Sequence, residues 1–239
     1  MSYLTERLSK ATTAEEVKKL LDDGADLNGK FGPFHRTPLM CVKTAEQTKL
    51  LIDAGANVNE RNTSCETALM LAETAEQTKL LLEAGAEVDA KTGSGFTALI
   101  NAKTAEQTKL LLDAGANVNA ADSIGGTALM RARTAKQTKL LLDAGANVNA
   151  QDNCGWTALM RAKTAEQAKL LLDAGAEFNI EALGYYAAIS DDKTQELKEL
   201  LGAAMNKAKE AYRDRIKEQK NKSLINRFLT KVKKYIKTK

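Results

Sequence analysis

The sequence predicts an all-α chain built as a stacked helical solenoid, and three observations lead there. Of its 239 residues 44% are hydrophobic, yet it has five Phe, one Trp and two Pro, so the interior must be built mainly from Ala and Leu, which favour helix over sheet. Near-identical text returns: "TALMRAKTAEQAKLLLDAGA" from Thr157 repeats "TALMRARTAKQTKLLLDAGA" from Thr127, with further copies from Thr97 and Thr67. Thr-Ala-Glu opens at Thr13, Thr44, Thr74, Thr104 and Thr164, and Thr-Ala-Lys at Thr134, with a spacing of 31 once and 30 thereafter; a degraded copy starts at Thr194. A period of this size marks units that cannot bury their apolar faces without neighbours.

Within a unit, the elements follow in order. Thr157 is placed to cap a short helix running to Ala162, and in the first full copy Pro38 takes the first helical position, where a missing N–H costs nothing. Thr164 with Gln167 three residues later is a capping box that opens a second helix through Leu172, and Gly175 is placed to close it in a left-handed conformation. The stretch "ANVNAQDNCGW", like the later "AEFNIEALG", reads as an extended, turn-rich connection. A helix of about five residues is not stable alone in water, so stacking must hold it. Leu159, Ala162, Leu171 and Leu172, with Val148, are the expected core set, and their counterparts extend one interior through the stack.

The segments "TPLM", "TALM", "LLLDAGANVNA" and the "D..G" before each Thr resemble the ankyrin repeat over roughly residues 1–202. The resemblance implies a helical-pair solenoid with β-turn or loop connections, protruding turn tips, and a concave face lined by the first helices. Two departures stand out. The period is 30 where the family's is 33, with the missing residues falling between the two helices. Met40, Met70, Ile100, Met130 and Met160 stand where the family has His, which replaces a polar link between neighbours with an apolar contact.

The copies also supply an internal comparison: constant positions serve the architecture, and varying ones are free for something else. The residue before each Thr runs Arg36, Glu66, Phe96, Gly126 and Trp156, with Tyr186 in the degraded copy. Three residues before each Thr stand Phe34, Ser64, Ser94, Ile124 and Cys154, and the fifth residue of each first helix runs Cys41, Leu71, Asn101, Arg131 and Arg161. Aromatic and Arg residues are the usual anchors of interfaces. Phe34, Arg36, Glu66, Phe96, Asn101, Ile124, Arg131, Trp156, Arg161 and Tyr186 are therefore the candidate strip for binding another protein, with Trp156 foremost. The plainer alternative is that Phe and Trp pack over the neighbouring turn.

Nothing in the sequence assembles a catalytic or metal centre. His35 is the only histidine, so no Ser-His-Asp or Cys-His set forms without it, and it reads as a surface residue beside Phe34. Cys41, Cys65 and Cys154 fall at no metal-ligand spacing and read as free thiols of a reducing compartment. "GSG" at Gly93 to Gly95 lacks the residues of a phosphate loop. The N-terminus lacks the apolar run of a secretory signal, and no stretch reaches membrane-spanning length, so a soluble, cytoplasmic, non-enzymatic protein is expected. No cofactor, metal or small-molecule substrate is expected. The sequence leaves open whether the protein acts in its own cell or is delivered into another.

Charge divides the chain. Residues 203–239 hold thirteen Lys and Arg against three Asp and Glu, a net of +10, which leaves −6 for residues 1–202. This asymmetry marks a boundary between a repeat solenoid at 1–202 and a basic helical extension at 203–239. Leu224, Ile225, Phe228, Leu229, Val232 and Ile236 share one face of that extension, amid Arg227, Lys231, Lys233, Lys234 and Lys237. Four roles are open to it. It could cap the last repeat, bind an anionic membrane surface or a nucleic acid through Arg227, Phe228 and the four lysines, or meet a partner helix.

Overall fold

The computed structural model of the chain describes residues 2–177 and 195–237, with side chains in the last segment described as far as Gln219 and at Lys222. Its elements in order are α1 (Ser2–Lys10), α2 (Ala14–Asp22), a one-turn 3-10 helix (Pro38–Met40), α3 (Ala45–Asp53), α4 (Ala68–Leu71), α5 (Ala75–Glu83), α6 (Ala98–Asn101), α7 (Ala105–Asp113), α8 (Ala128–Arg131), α9 (Ala135–Asp143), α10 (Ala158–Arg161), α11 (Ala165–Asp173) and α12 (Gln195–Lys237). The described residues contain no strand, only isolated bridges pairing Phe31 with Arg36 and Ala121 with Thr127 at the base of two turns. From α4 onward, four-residue first helices alternate with nine-residue second helices. First helices pack on first helices and second on second, giving two layers along one axis.

The short period is accommodated as the spacing implied. From α4 onward each first helix is a single turn, and the residue after it leaves helical space at once, as at Ala162 with φ −56° and ψ 133°. Three residues then suffice to reach the next helix. Each second helix starts at a capping Thr and ends on a left-handed Gly. Gly175 has φ +85°, its N–H donates to the Leu172 carbonyl, and the Ala176 N–H donates to that of Leu171, which satisfies carbonyls the helix end would otherwise leave open.

Leu159, Ala162 and Leu171 are fully buried as expected, whereas Leu172 and Val148 are half-buried at the edge. Met40, Met70, Ile100, Met130 and Met160 are buried, so the position that departs from the family pattern is an apolar one. One expectation is corrected. Thr157 has the extended backbone of a cap, but its hydroxyl makes no cap bond and, like those of Thr37 and Thr67, is buried with no hydrogen-bond partner. Thr97 and Thr127, buried alike, do cap their first helices by accepting from the N–H groups of Ile100 and Met130, so the cap is present in some copies and absent in others.

The polar link missing at the Met position is supplied by the capping-box glutamine. Gln77 Oε1 accepts from the backbone N–H of Glu73 while its Nε2 donates back into the preceding unit, to the Val42 carbonyl and the Thr48 hydroxyl, each at 3.1 Å. Gln107, Gln137 and Gln167 repeat the arrangement with Ala72 and Thr78, Ala102 and Thr108, and Ala132 and Thr138. A second ladder runs through the connections. The Asn59 side chain accepts from the Glu87 N–H and donates to the Gly85 carbonyl, and Asn119 and Asn149 do the same one and two units beyond Asp89. Buried amides satisfied on both ends favour one register over slipped ones, because a slipped stack would strand them.

The helix α12 opens where the degraded copy was expected. Leu197 and Leu201 are fully buried, and α12 packs on α11 as the second helices pack on each other. From Tyr212 to Gln219 almost every side chain is exposed. The helix runs unbroken past Gly202, for roughly 65 Å at 1.5 Å per residue. The cap of the last repeat is therefore the start of this helix, around Leu197 and Leu201. Residues 224–236, in the same unbroken helix, have no bend on which to fold back over it. The side chains of Arg227, Phe228, Lys231, Lys233, Lys234 and Lys237 lie outside those described. Among the described residues no helix is long and apolar enough to cross a membrane.

Candidate functional site

The turn tips are held by one acceptor per unit. Asp152 Oδ1 accepts from the N–H groups of Cys154 and Trp156, both at 2.9 Å, and Asp122 Oδ1 accepts from those of Ile124 and Gly126. Asn62 and Thr92 occupy the same place in the earlier copies. Successive tips are joined by backbone hydrogen bonds, from Thr63 to Phe34, Gly93 to Ser64, Ser123 to Ser94 and Asn153 to Ile124. The tips therefore form a continuous edge in fixed register, with Phe34 and Ile124 projecting from it at 54% and 52% exposure.

The other oxygen of each tip carboxylate positions an arginine. Asp122 Oδ2 lies 2.8 Å from Arg131 Nη2, and Asp152 Oδ2 binds Arg161 Nη2, the carboxylates being buried and the guanidinium groups partly exposed. Burial pushes the Asp152 carboxyl up, but the Trp156 and Cys154 amides and Arg161 outweigh it and hold it below its usual range. Each arginine also rests on an aromatic ring. Arg131 stands 4.6 Å from the ring centre of Phe96, and Arg161 stands 5.6 Å from that of Trp156.

Trp156, Asn101, Arg131 and Arg161 come together in an open groove of about 800 Å³ on the face formed by the first helices. Its floor is Met130, Met160 and neighbouring alanines, and its rim adds Arg133 and Lys163 from the links between helices. Those two cations were not legible as site residues from the varying columns chosen. The position two residues beyond the fifth helix residue, which runs Lys43, Glu73, Lys103, Arg133 and Lys163, carried the signal. The Asp and Arg nine residues apart in two copies were a second signal, since both appear in the same units.

Apart from Asn101, Arg131, Trp156 and Arg161, the described candidates lie outside this groove. Phe96 and Trp156 are half-buried and pack against the core, as the plainer alternative had it, while their outer faces carry the arginines. Arg36 and Glu66 face each other between units at 3.5 Å, with Arg36 above Phe34, forming a separate cluster near the first tip. Tyr186 lies outside the described residues. The three cysteines are unpaired, and burial raises the Cys41 thiol, which disfavours its reactive thiolate form.

A family model described as ankyrin repeats (3 copies) matches residues 73–152 and 96–182. No curated protein matches the chain. Ankyrin repeats are in general modules of protein–protein interaction. The one-turn and two-turn helix pairs, the hydrogen-bonded tips and this match agree: residues 73–182 match the ankyrin-repeat family in sequence and fold.

Proposed function

We propose that the protein is a non-enzymatic adaptor that binds a partner protein along the turn tips and the concave first-helix face. The observation that supports this most is the sorting of the repeat: Leu159, Gln167 and Leu171 and their constant counterparts are buried, while Asn101, Arg131, Trp156 and Arg161, in columns that vary between copies, converge on one open groove. Because tips and arginines are already fixed by buried carboxylates, a partner docks with little further ordering. In this reading residues 1–202 are the recognition solenoid and 203–239 a basic helical extension. Free thiols at Cys41, Cys65 and Cys154 suit a reducing compartment such as the cytoplasm.

The test is affinity capture from native extract after nuclease treatment. Intact protein is compared with a Phe34→Ser/Ile124→Ser variant, which alters exposed tip residues, and with a Lys79→Ser/Lys109→Ser variant on the outer helices. Loss of one captured protein with the tip variant and its retention with the outer-helix variant is the expected result. Equal capture by all three forms would contradict the reading.

A further inference from the structure

The groove is markedly one-sided in charge. Its lining includes Arg131, Arg133, Arg161 and Lys163 and no carboxylate. Arg131 and Arg161 are already paired with Asp122 and Asp152, so their charge is balanced and their geometry fixed. Arg133 and Lys163 are exposed and form no ion pair among the described residues; Lys79, Lys109 and Lys139 on the second helices also form none, but only Arg133 and Lys163 line the groove. Two uncompensated cations therefore line the groove at equivalent places in successive units, with Lys103 at the same place one unit before them. Glu73 reverses the sign of that column two units earlier, which ends the basic stretch.

We propose, building on the reading above, that the occupant of this groove is an acidic, extended peptide segment of a partner protein, with two carboxylates three residues apart on Arg133 and Lys163. Neighbouring packed helices stand roughly 8–10 Å apart, which sets the spacing of equivalent residues in adjacent units. A polyproline-II segment returns to the same face every three residues after about 9 Å, so acidic residues at i and i+3 meet both cations. The side chains between them lie over Met130, Met160 and the edge of Trp156. A nucleic-acid strand fits less well: it carries a phosphate every few ångströms, and the groove offers one unpaired cation per unit above a largely apolar floor. The net −6 of residues 1–202 disfavours acidic segments elsewhere on the solenoid.

The test uses the full chain and a displayed library of random twelve-residue peptides, with recovered sequences resynthesised with a fluorescent label and titrated by anisotropy. Expected are peptides enriched in Asp and Glu three residues apart, weakened about tenfold or more by Arg133→Glu/Lys163→Glu. Lys109→Glu/Lys139→Glu, an equal charge change on the outer helices, should leave affinity within about twofold, with both variants melting like the intact protein. Equal weakening by both variants would overturn the proposal, and so would displacement of the peptide by an equimolar single-stranded oligonucleotide. Recovered peptides without acidic excess whose binding is lost on Trp156→Ala would overturn the acidic occupant and leave the adaptor reading standing. Peptides bound equally by every repeat variant would overturn both.

Discussion

The side-chain amide of Gln77 donates to the hydroxyl of Thr48 in the unit before it at 3.1 Å, with both residues buried. The same pairing recurs between Gln107 and Thr78, so it is the polar rung of the stack. Replacing Gln107 by Leu strands the Ala72 carbonyl and should cost about 2 kcal/mol in chemical denaturation. Thr78→Ala should cost less in that background than alone, because the rung is already broken, and a double-mutant cycle reads the difference.

The last joint exchanges this rung for an apolar one. Ala168 stands at the Thr position and Leu197 at the Gln position of the next unit, and both are fully buried. Ala168→Thr adds volume beneath a leucine and should destabilise the docking of α12 by about 1–3 kcal/mol. Adding Leu197→Gln should recover part of that loss, measured by thermal melts of the single and double variants.

Position 95 and its equivalents demand a left-handed backbone: Gly95 and Gly125 have φ +80° and +82°, while Cys65 and His35 are held at +59° and +50°. Cys65→Gly should therefore stabilise the protein by about 1 kcal/mol. A Cβ on Gly125 would meet the Asp152 Cα at 2.9 Å, whereas one on Gly115 meets nothing within 4 Å. Gly125→Ala should consequently cost about 2 kcal/mol or more and Gly115→Ala about 1, as read from denaturation midpoints.

Asp152 has a carboxyl pKa lower in the folded chain than in the unfolded one. Its contribution is present in full above the unfolded value, about 3.9, and is lost as pH falls through the lower folded value. Asp152→Asn keeps an acceptor for the tip amides and removes the charge partner of Arg161. The variant should be less stable at neutral pH and lose less stability on acidification below about pH 4 than the intact protein, measured by melting temperature against pH.

Periodicity, caps and the apolar Met position could be read from sequence because each is local: a Thr, a Gln three residues on, a Gly at the end. The second role of Gln77 could not, since its acceptors lie 29 and 35 residues back and only stacking brings them near. For the site, the varying columns singled out Arg131, Arg161 and Trp156, which the structure brings to one groove. Burial of Phe96 and Trp156 was not legible, because each lies beneath an arginine that a carboxylate nine residues before it holds in place, and only the folded tips bring ring, arginine and carboxylate together. Arg133 and Lys163 were passed over because their column, Lys43, Glu73, Lys103, Arg133 and Lys163, is almost uniformly basic, which reads as a solvated surface.

The most direct measurement is hydrogen–deuterium exchange of the full chain, alone and with the captured partner. The account predicts added protection at the tips and first helices, over residues 122–133 and 152–163, with α7 and α9 unchanged. Protection confined to residues 203–237, with the groove exchanging as in the free protein, would contradict it.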